Sequence, residues 1–130
     1  MLKYTSLGTR YSGYLPVCLY LPIINSVITN VYRPPSCEES LFQEALRDIS
    51  TAIDSVGSPM PMIIMCGDFN FPFVDWSSGS VTGSTLAMQR QAESLINHMD
   101  EYCLQQCITE PTRMNNILDL FMTNYTSIIC

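Results

Sequence analysis

Charge is what this chain has least of. Asp, Glu, Lys and Arg make up 14% of its 130 residues, against about 25% in typical soluble domains. Six are basic and 12 acidic, for a formal charge of −6, and no run of Lys or Arg occurs. Proteins that hold phosphates by counterion release carry basic patches. Charge alone therefore argues against nucleic acid, although a bound divalent cation reverses the local sign of an acidic site. No Cys-x-x-Cys pair occurs among the six cysteines, which removes zinc-ribbon and dithiol redox readings. An uninterrupted apolar run of the ~20 residues needed to span a bilayer is also missing. Residues 13–24 come nearest, but Pro16 and Pro22 interrupt them and no small-residue cleavage site follows. A buried strand fits that stretch better, and an intracellular rather than secreted protein is expected.

What remains is apolar. Hydrophobic residues make up 47% and mean hydropathy is +0.15, which excludes intrinsic disorder. A compact chain of this mass buries roughly two-thirds of its unfolded surface, enough for a real core. His98, Cys103 and Cys107 are spaced so that, on a helix, the two thiols share a face and make half a metal site. The competing reading is buried thiols packed as small apolar side chains in a reducing compartment. Asn124-Tyr125-Thr126 fits the glycosylation triplet, which is idle without secretion.

The alternation of segments predicts an α/β fold. Residues 25–32 are rich in β-branched and aromatic side chains and stop at Arg33-Pro34-Pro35, which reads as a buried strand. Ser36 with Glu39 forms a capping-box pattern, and Phe42, Ala45, Leu46, Ile49, Ile53 and Val56 fall on one helical face. Gly57 and Pro59 end that helix. Residues 61–66 form a continuous apolar run suited to a strand covered on both faces, so strand, helix and strand predict a parallel pair. Residues 71–84 read as a loop. Helical spacing returns over 85–102, with Met88, Ala92, Leu95, Ile96 and Met99 as its stripe. A short strand is expected within 104–108, then a loop, then an apolar run over 117–123 that carries Asp119. No repeat and no second domain is visible.

Three groups could carry chemistry. Asp68 and Asn70, two apart after an apolar strand, can point to one side. There the Asp would bind a metal or take a proton from water while the Asn orients water or phosphate. Alternatively, they are turn formers. Tyr32 and Arg33 end the neighbouring strand, where a phenol could donate to a phosphoryl oxygen and a guanidinium could neutralise charge. The plainer alternative is a Tyr packed in the sheet and a solvated Arg. Asp119 sits among apolar residues and needs a hydrogen-bond partner if buried.

Taken in order and spacing, Val31-Tyr32-Arg33-Pro34-Pro35, Cys66-Gly67-Asp68-Phe69-Asn70 with Asp75-Trp76, and the run from Pro111-Thr112-Arg113 to Ile117-Leu118-Asp119-Leu120 resemble one family. It is the endonuclease/exonuclease/phosphatase family, and within it the apurinic-type endonuclease region of non-LTR (LINE-like) retrotransposons. The resemblance covers residues 27–124. It implies a partial four-layer α/β sandwich, two packed sheets flanked by helices, within a single domain over residues 1–130. It also implies Mg²⁺-dependent phosphodiester hydrolysis, with DNA as partner and neither a membrane nor a small-molecule cofactor. Carried over by position, Tyr32 contacts the phosphate, Asp68 activates the attacking water and binds metal indirectly or weakly, and Asn70 holds water or phosphate. Asp119 matches the carboxylate that orients a catalytic histidine.

The chain departs from the family pattern at both ends. Nothing before Tyr32 supplies the family's early Asn and metal-binding Glu, and no Ser-Asp-His motif follows Asp119. The expectation is a fragment that is inactive alone and prone to self-association through exposed sheet edges. The alternative is a non-enzymatic remnant that binds a protein partner.

Overall fold

The computed structural model describes residues 5–6, 16–82 and 85–125. They form a six-stranded mixed sheet in the order β1 (Thr5–Ser6), β2 (Val17–Leu21), β3 (Ser26–Tyr32), β4 (Met62–Asp68), β8 (Asp119–Thr123) and β7 (Gln105–Gln106). A separate two-stranded sheet pairs β5 (Val74–Asp75) with β6 (Ser80–Val81). Two helices, α1 (Glu39–Val56) and α2 (Leu86–Glu101), complete the α/β architecture.

The expected β3–α1–β4 unit is present, with β3 and β4 parallel along their whole length. Side chains alternate across a strand, so the register sorts them into two faces. Cys18, Thr29, Met65 and Met122 lie in one row, and Val27 and Val31 with Ile63 share that side. These residues are buried under Phe42, Leu46, Ile49 and Ile53 of α1 and Ala92 and Leu95 of α2. The other face carries half-buried Leu19, Ile28, Ile64 and Phe121. Sheet plus one helix layer is thus the part of the sandwich that the described residues supply.

Several boundaries differ from the sequence reading, each for a local reason. Within residues 13–24, 13–15 lie outside the described residues, β2 covers Val17–Leu21, and Pro22–Ile24 turns into a 3₁₀ segment. Ser36 does not cap α1. Cys37 N–H closes a turn on the Pro34 carbonyl at 3.0 Å, so the helix starts at Glu39 after an N-cap Glu38 that makes no side-chain cap bond. The apolar run of β4 continues two residues further, because Gly67 and Asp68 still pair on both sides. The region read as a loop over 71–84 contains the β5–β6 hairpin, with 83–84 outside the described residues. β7 shrinks to two residues. The Gln106 amide exchanges two 2.7 Å hydrogen bonds with the Ile108 backbone and so competes with the ladder. β8 starts at Asp119 because the Thr112 hydroxyl takes the N–H groups of Leu118 and Asp119 at 3.0 and 3.1 Å.

The second helix is capped by Thr85, whose hydroxyl accepts from Met88 N–H at 3.1 Å. Its inner face includes two polar residues that apolar spacing passes over, Gln91 and His98. Thiol burial is uneven: Cys18 and Cys37 are buried, Cys66 is partly covered and Cys103 is exposed. Cys103 stands just past the end of α2 with φ 55°, and Thr126 of the glycosylation triplet is outside the described residues. Asn124, however, is committed. Its Oδ1 accepts from Ile63 N–H at 2.7 Å, and its Nδ2 donates to the Pro61 carbonyl at 3.0 Å.

Candidate active site

Pairing brings three of the four expected site residues into one row. Tyr32 of β3 is in register with Asp68 of β4, which is in register with Asp119 of β8. All three fall on the face away from the helices, at the carboxyl ends of the parallel pair. Polar groups in that position of an α/β sheet are well sited for chemistry. Tyr32 is 50% exposed, and both carboxylates are partly open to solvent.

The joint beneath the row is Gly67. Its φ is +142°, and an added Cβ would stand 1.8 Å from the Val31 carbonyl oxygen. No other residue fits where β3 and β4 come this close. Gly67 therefore sets the height at which Asp68 leaves the sheet.

Two acids directly opposite each other on neighbouring strands repel. The compensating cation is Arg113, a residue to which sequence reasoning assigned no role. Its Nη2 donates to Asp68 Oδ2 at 2.7 Å. The hydrogen bond with Asp68, then its charge, and then Asp119 and Tyr32 raise the guanidinium pKa above its ordinary value. Arg113 arrives there on a tight turn in which Arg113 and Asn116 pair, with Met114 at the tip at φ 54° and 91% exposed. Only its place six residues before Asp119, in the same motif, hinted at it.

Asn70 is not on the row. Its backbone is left-handed at φ 52°, a conformation Asn tolerates better than most residues. That turns its side chain inward, where Nδ2 donates to the Arg33 carbonyl at 2.6 Å. What it offers Asp68 is its main-chain N–H, 3.2 Å from Oδ1. Arg33 is neither solvated nor on the row, and is 1% exposed on the helix side.

The lone histidine is on the wrong face to serve the row. His98 is 5% exposed, with Nδ1 3.3 Å from Ser50 Oγ on α1 and Nε2 buried without a partner among the described residues. Burial pulls its pKa down to about 4, against a smaller opposing effect of Asp54. Among the described residues no three His, Cys, Asp or Glu side chains gather to hold a metal ion. Asp68 and Asp119 alone therefore do not fit a Mg²⁺ ion, and the His98–Cys103–Cys107 half-site does not form. No helix of the described residues is long and apolar enough to cross a membrane.

The stretch that carries the row and the glycine joint matches a known family. The model of the endonuclease-reverse transcriptase family matches residues 26–129. The chain belongs to that family. Its fold is shared with the endonuclease domain of TRAS1, a telomere-specific non-LTR retrotransposon, at a TM-score of 0.55 and 18% identity. The match covers 93% of this chain and 53% of that one, so this family member spans about half the length of its structural neighbour. No curated protein matches it by sequence.

Proposed function

We propose that the chain is part of a Mg²⁺-dependent endonuclease domain that nicks DNA for a non-LTR retrotransposon, and that it does not nick by itself. The observation that carries this reading is the row of Tyr32, Asp68 and Asp119 across three adjacent strands, with Arg113 bound to its central carboxylate. In this reading Asp68 accepts the proton of the water that attacks phosphorus. The Tyr32 phenol donates to a phosphoryl oxygen. Arg113 exchanges Asp68 for the phosphate, a charge-assisted bond its planar fork is shaped to make. Asn70 contributes from beneath, through its N–H to Asp68.

Mg²⁺ dependence enters through family membership, and the described donors do not complete a site for the ion. Asp119 likewise has no imidazole to orient, since His98 lies between the helices. Catalytic groups that act as a set lose most of their rate together, which supports inactivity of the chain alone. An intracellular setting follows from DNA as substrate, and no membrane or small-molecule cofactor is invoked.

Nicking of supercoiled plasmid with Mg²⁺, by this chain and by Asp68→Ala, tests the proposal. Neither protein is expected to nick above background; robust nicking that Asp68→Ala abolishes would overturn the inactivity. Titration with a short duplex, followed by NMR, is expected to move Tyr32, Asp68 and Arg113 resonances first. Shifts confined to other surfaces would remove the row as the site.

A second reading, a protein-interaction remnant, draws on the apolar side chains Leu19, Ile28, Ile64 and Phe121 of the open face. Self-association would use that face more readily than the sheet edges, since β1 and β7 are two residues each and offer short templates.

A further inference from the structure

A buried guanidinium without a carboxylate is expensive, and Arg33 has none among the described residues. Burial accordingly lowers its pKa from the ordinary value. What the side chain has instead is a set of neutral acceptors and aromatic faces. Nε donates to Gln91 Oε1 at 2.8 Å, and Nη1 donates to the carbonyls of Phe69 at 3.2 Å and Asn70 at 3.1 Å. The guanidinium carbon lies 4.2 Å from the Phe71 ring centre and 5.7 Å from that of Phe42. Gln91 is itself fixed by its Nε2 donating to the Cys37 carbonyl at 2.9 Å.

The main chain of the same residue grips the same turn. Arg33 N–H donates to the Asp68 carbonyl at 2.8 Å, and the Arg33 carbonyl accepts from Asn70 Nδ2 at 2.6 Å. One residue thus holds the backbone of Asp68, Phe69 and Asn70 and the side chain of Asn70. The turn so held has Asn70 at φ 52°, which aims the Asn70 N–H at Asp68 Oδ1. With Arg113 on Oδ2, both carboxylate oxygens are directed.

We infer that Arg33 is a positioning residue for Asp68, acting through the left-handed Asn70 whose N–H orients the carboxylate. The inference rests on the reading of Asp68 as the water-activating group. Packing alone does not require a guanidinium here. A purely structural role would be met by any side chain that fills the space between Phe42 and Phe71, whereas a positioning role needs a planar fork that reaches Gln91 and two carbonyls at once. Lysine, a single point charge on a flexible stem, cannot reproduce it.

Arg33→Lys and Gln91→Met are compared with the parent chain by amide hydrogen exchange and NMR, without DNA or metal. In a folded Arg33→Lys, Asn70 N–H is expected to exchange on the order of tenfold faster relative to Met65 and Leu120 in the same sheet. The Arg113 guanidinium resonance is expected to shift with it. Unchanged Asn70 and Arg113 signals, or an equal acceleration at all three amides, would overturn the inference. If Arg33→Lys does not fold, Gln91→Met decides, because it leaves the guanidinium in place and withdraws its Nε partner, together with the donor to the Cys37 carbonyl. A smaller acceleration confined to Asn70 supports the inference, and a uniform one or none overturns it. Nicking is not measured here, so a failure of the catalytic reading of Asp68 leaves this result standing on its own.

Discussion

The two faces of the sheet end at the same place on opposite principles. On the helix side, the sheet closes on Arg33, a buried cation bonded through Nε and Nη1 to an amide and two carbonyls and set against two aromatic rings, with Nη2 left without a hydrogen-bond partner among the described residues. On the open side it closes on Arg113, an exposed cation satisfied by a carboxylate. The first arrangement is dry and costly to alter. The second is wet, salt-sensitive and easily exchanged for another anion. Asp68 lies between them, and its position depends on the buried arginine while its charge is countered by the exposed one. Precise placement and replaceable charge are both what the proposed phosphate-binding role of this row calls for.

Removing the joint that both faces share should have the largest effect. Gly67→Ala drives a methyl group into the Val31 carbonyl at a backbone angle L residues rarely adopt, and is expected to cost more than about 4 kcal/mol. Urea denaturation checks this, and a variant within about 1 kcal/mol of the parent would mean that β3 and β4 can separate at little cost.

Acid probes the helix side. His98 titrates near 4 in the folded chain against an ordinary value of 6.5, so the unfolded chain takes up the proton first as pH falls. Its contribution to stability is complete above about pH 6.5 and is lost progressively toward pH 4, amounting to about 3 kcal/mol. Unfolding free energies measured across that window should fall less steeply in His98→Gln than in the parent. Equal slopes would show that His98 is not the group responsible.

Least effect on stability is expected from Arg113→Ala, which removes only the exposed cation. Thermal melting should be unchanged at moderate salt, while the affinity for a short duplex drops and its salt dependence becomes shallower. If the melting temperature falls sharply instead, the two faces are not as independent as their geometry implies.

Much of the scaffold is legible from residue order. The β-branched run before Arg33-Pro34-Pro35, the apolar face of α1 and the continuous run into Gly67-Asp68 each follow one periodicity and appear as read. Tyr32, Asp68 and Asp119 could be named as a set only through their family motifs, because their alignment depends on a pairing between strands 50 residues apart in β4 and β8. Polar side chains turned toward the core are the ones that were not legible. Asn70 turns inward on a positive φ, Arg33 is drawn under the helices by Gln91, and His98 occupies an inner position that hydrophobic spacing assigns to an apolar residue. Gln106 limits its own strand β7, and Thr112, from the loop, limits β8, each by bonding backbone N–H groups nearby, a competition that strand propensity does not register.

Asn124 has a wider effect than its place at the end of β8 suggests. By clasping Ile63 and Pro61 it acts as a ruler for the antiparallel pairing of β8 with β4. Side chains change face with every residue along a strand, so a slip of one position would send Asp119 beneath the sheet and bring Leu120 into its place. The distance from this clasp to the acid row is therefore fixed to the residue. The five residues of β8, Asp119–Thr123, are thus where a change of length alone would displace the acid row while every chemical group was still present.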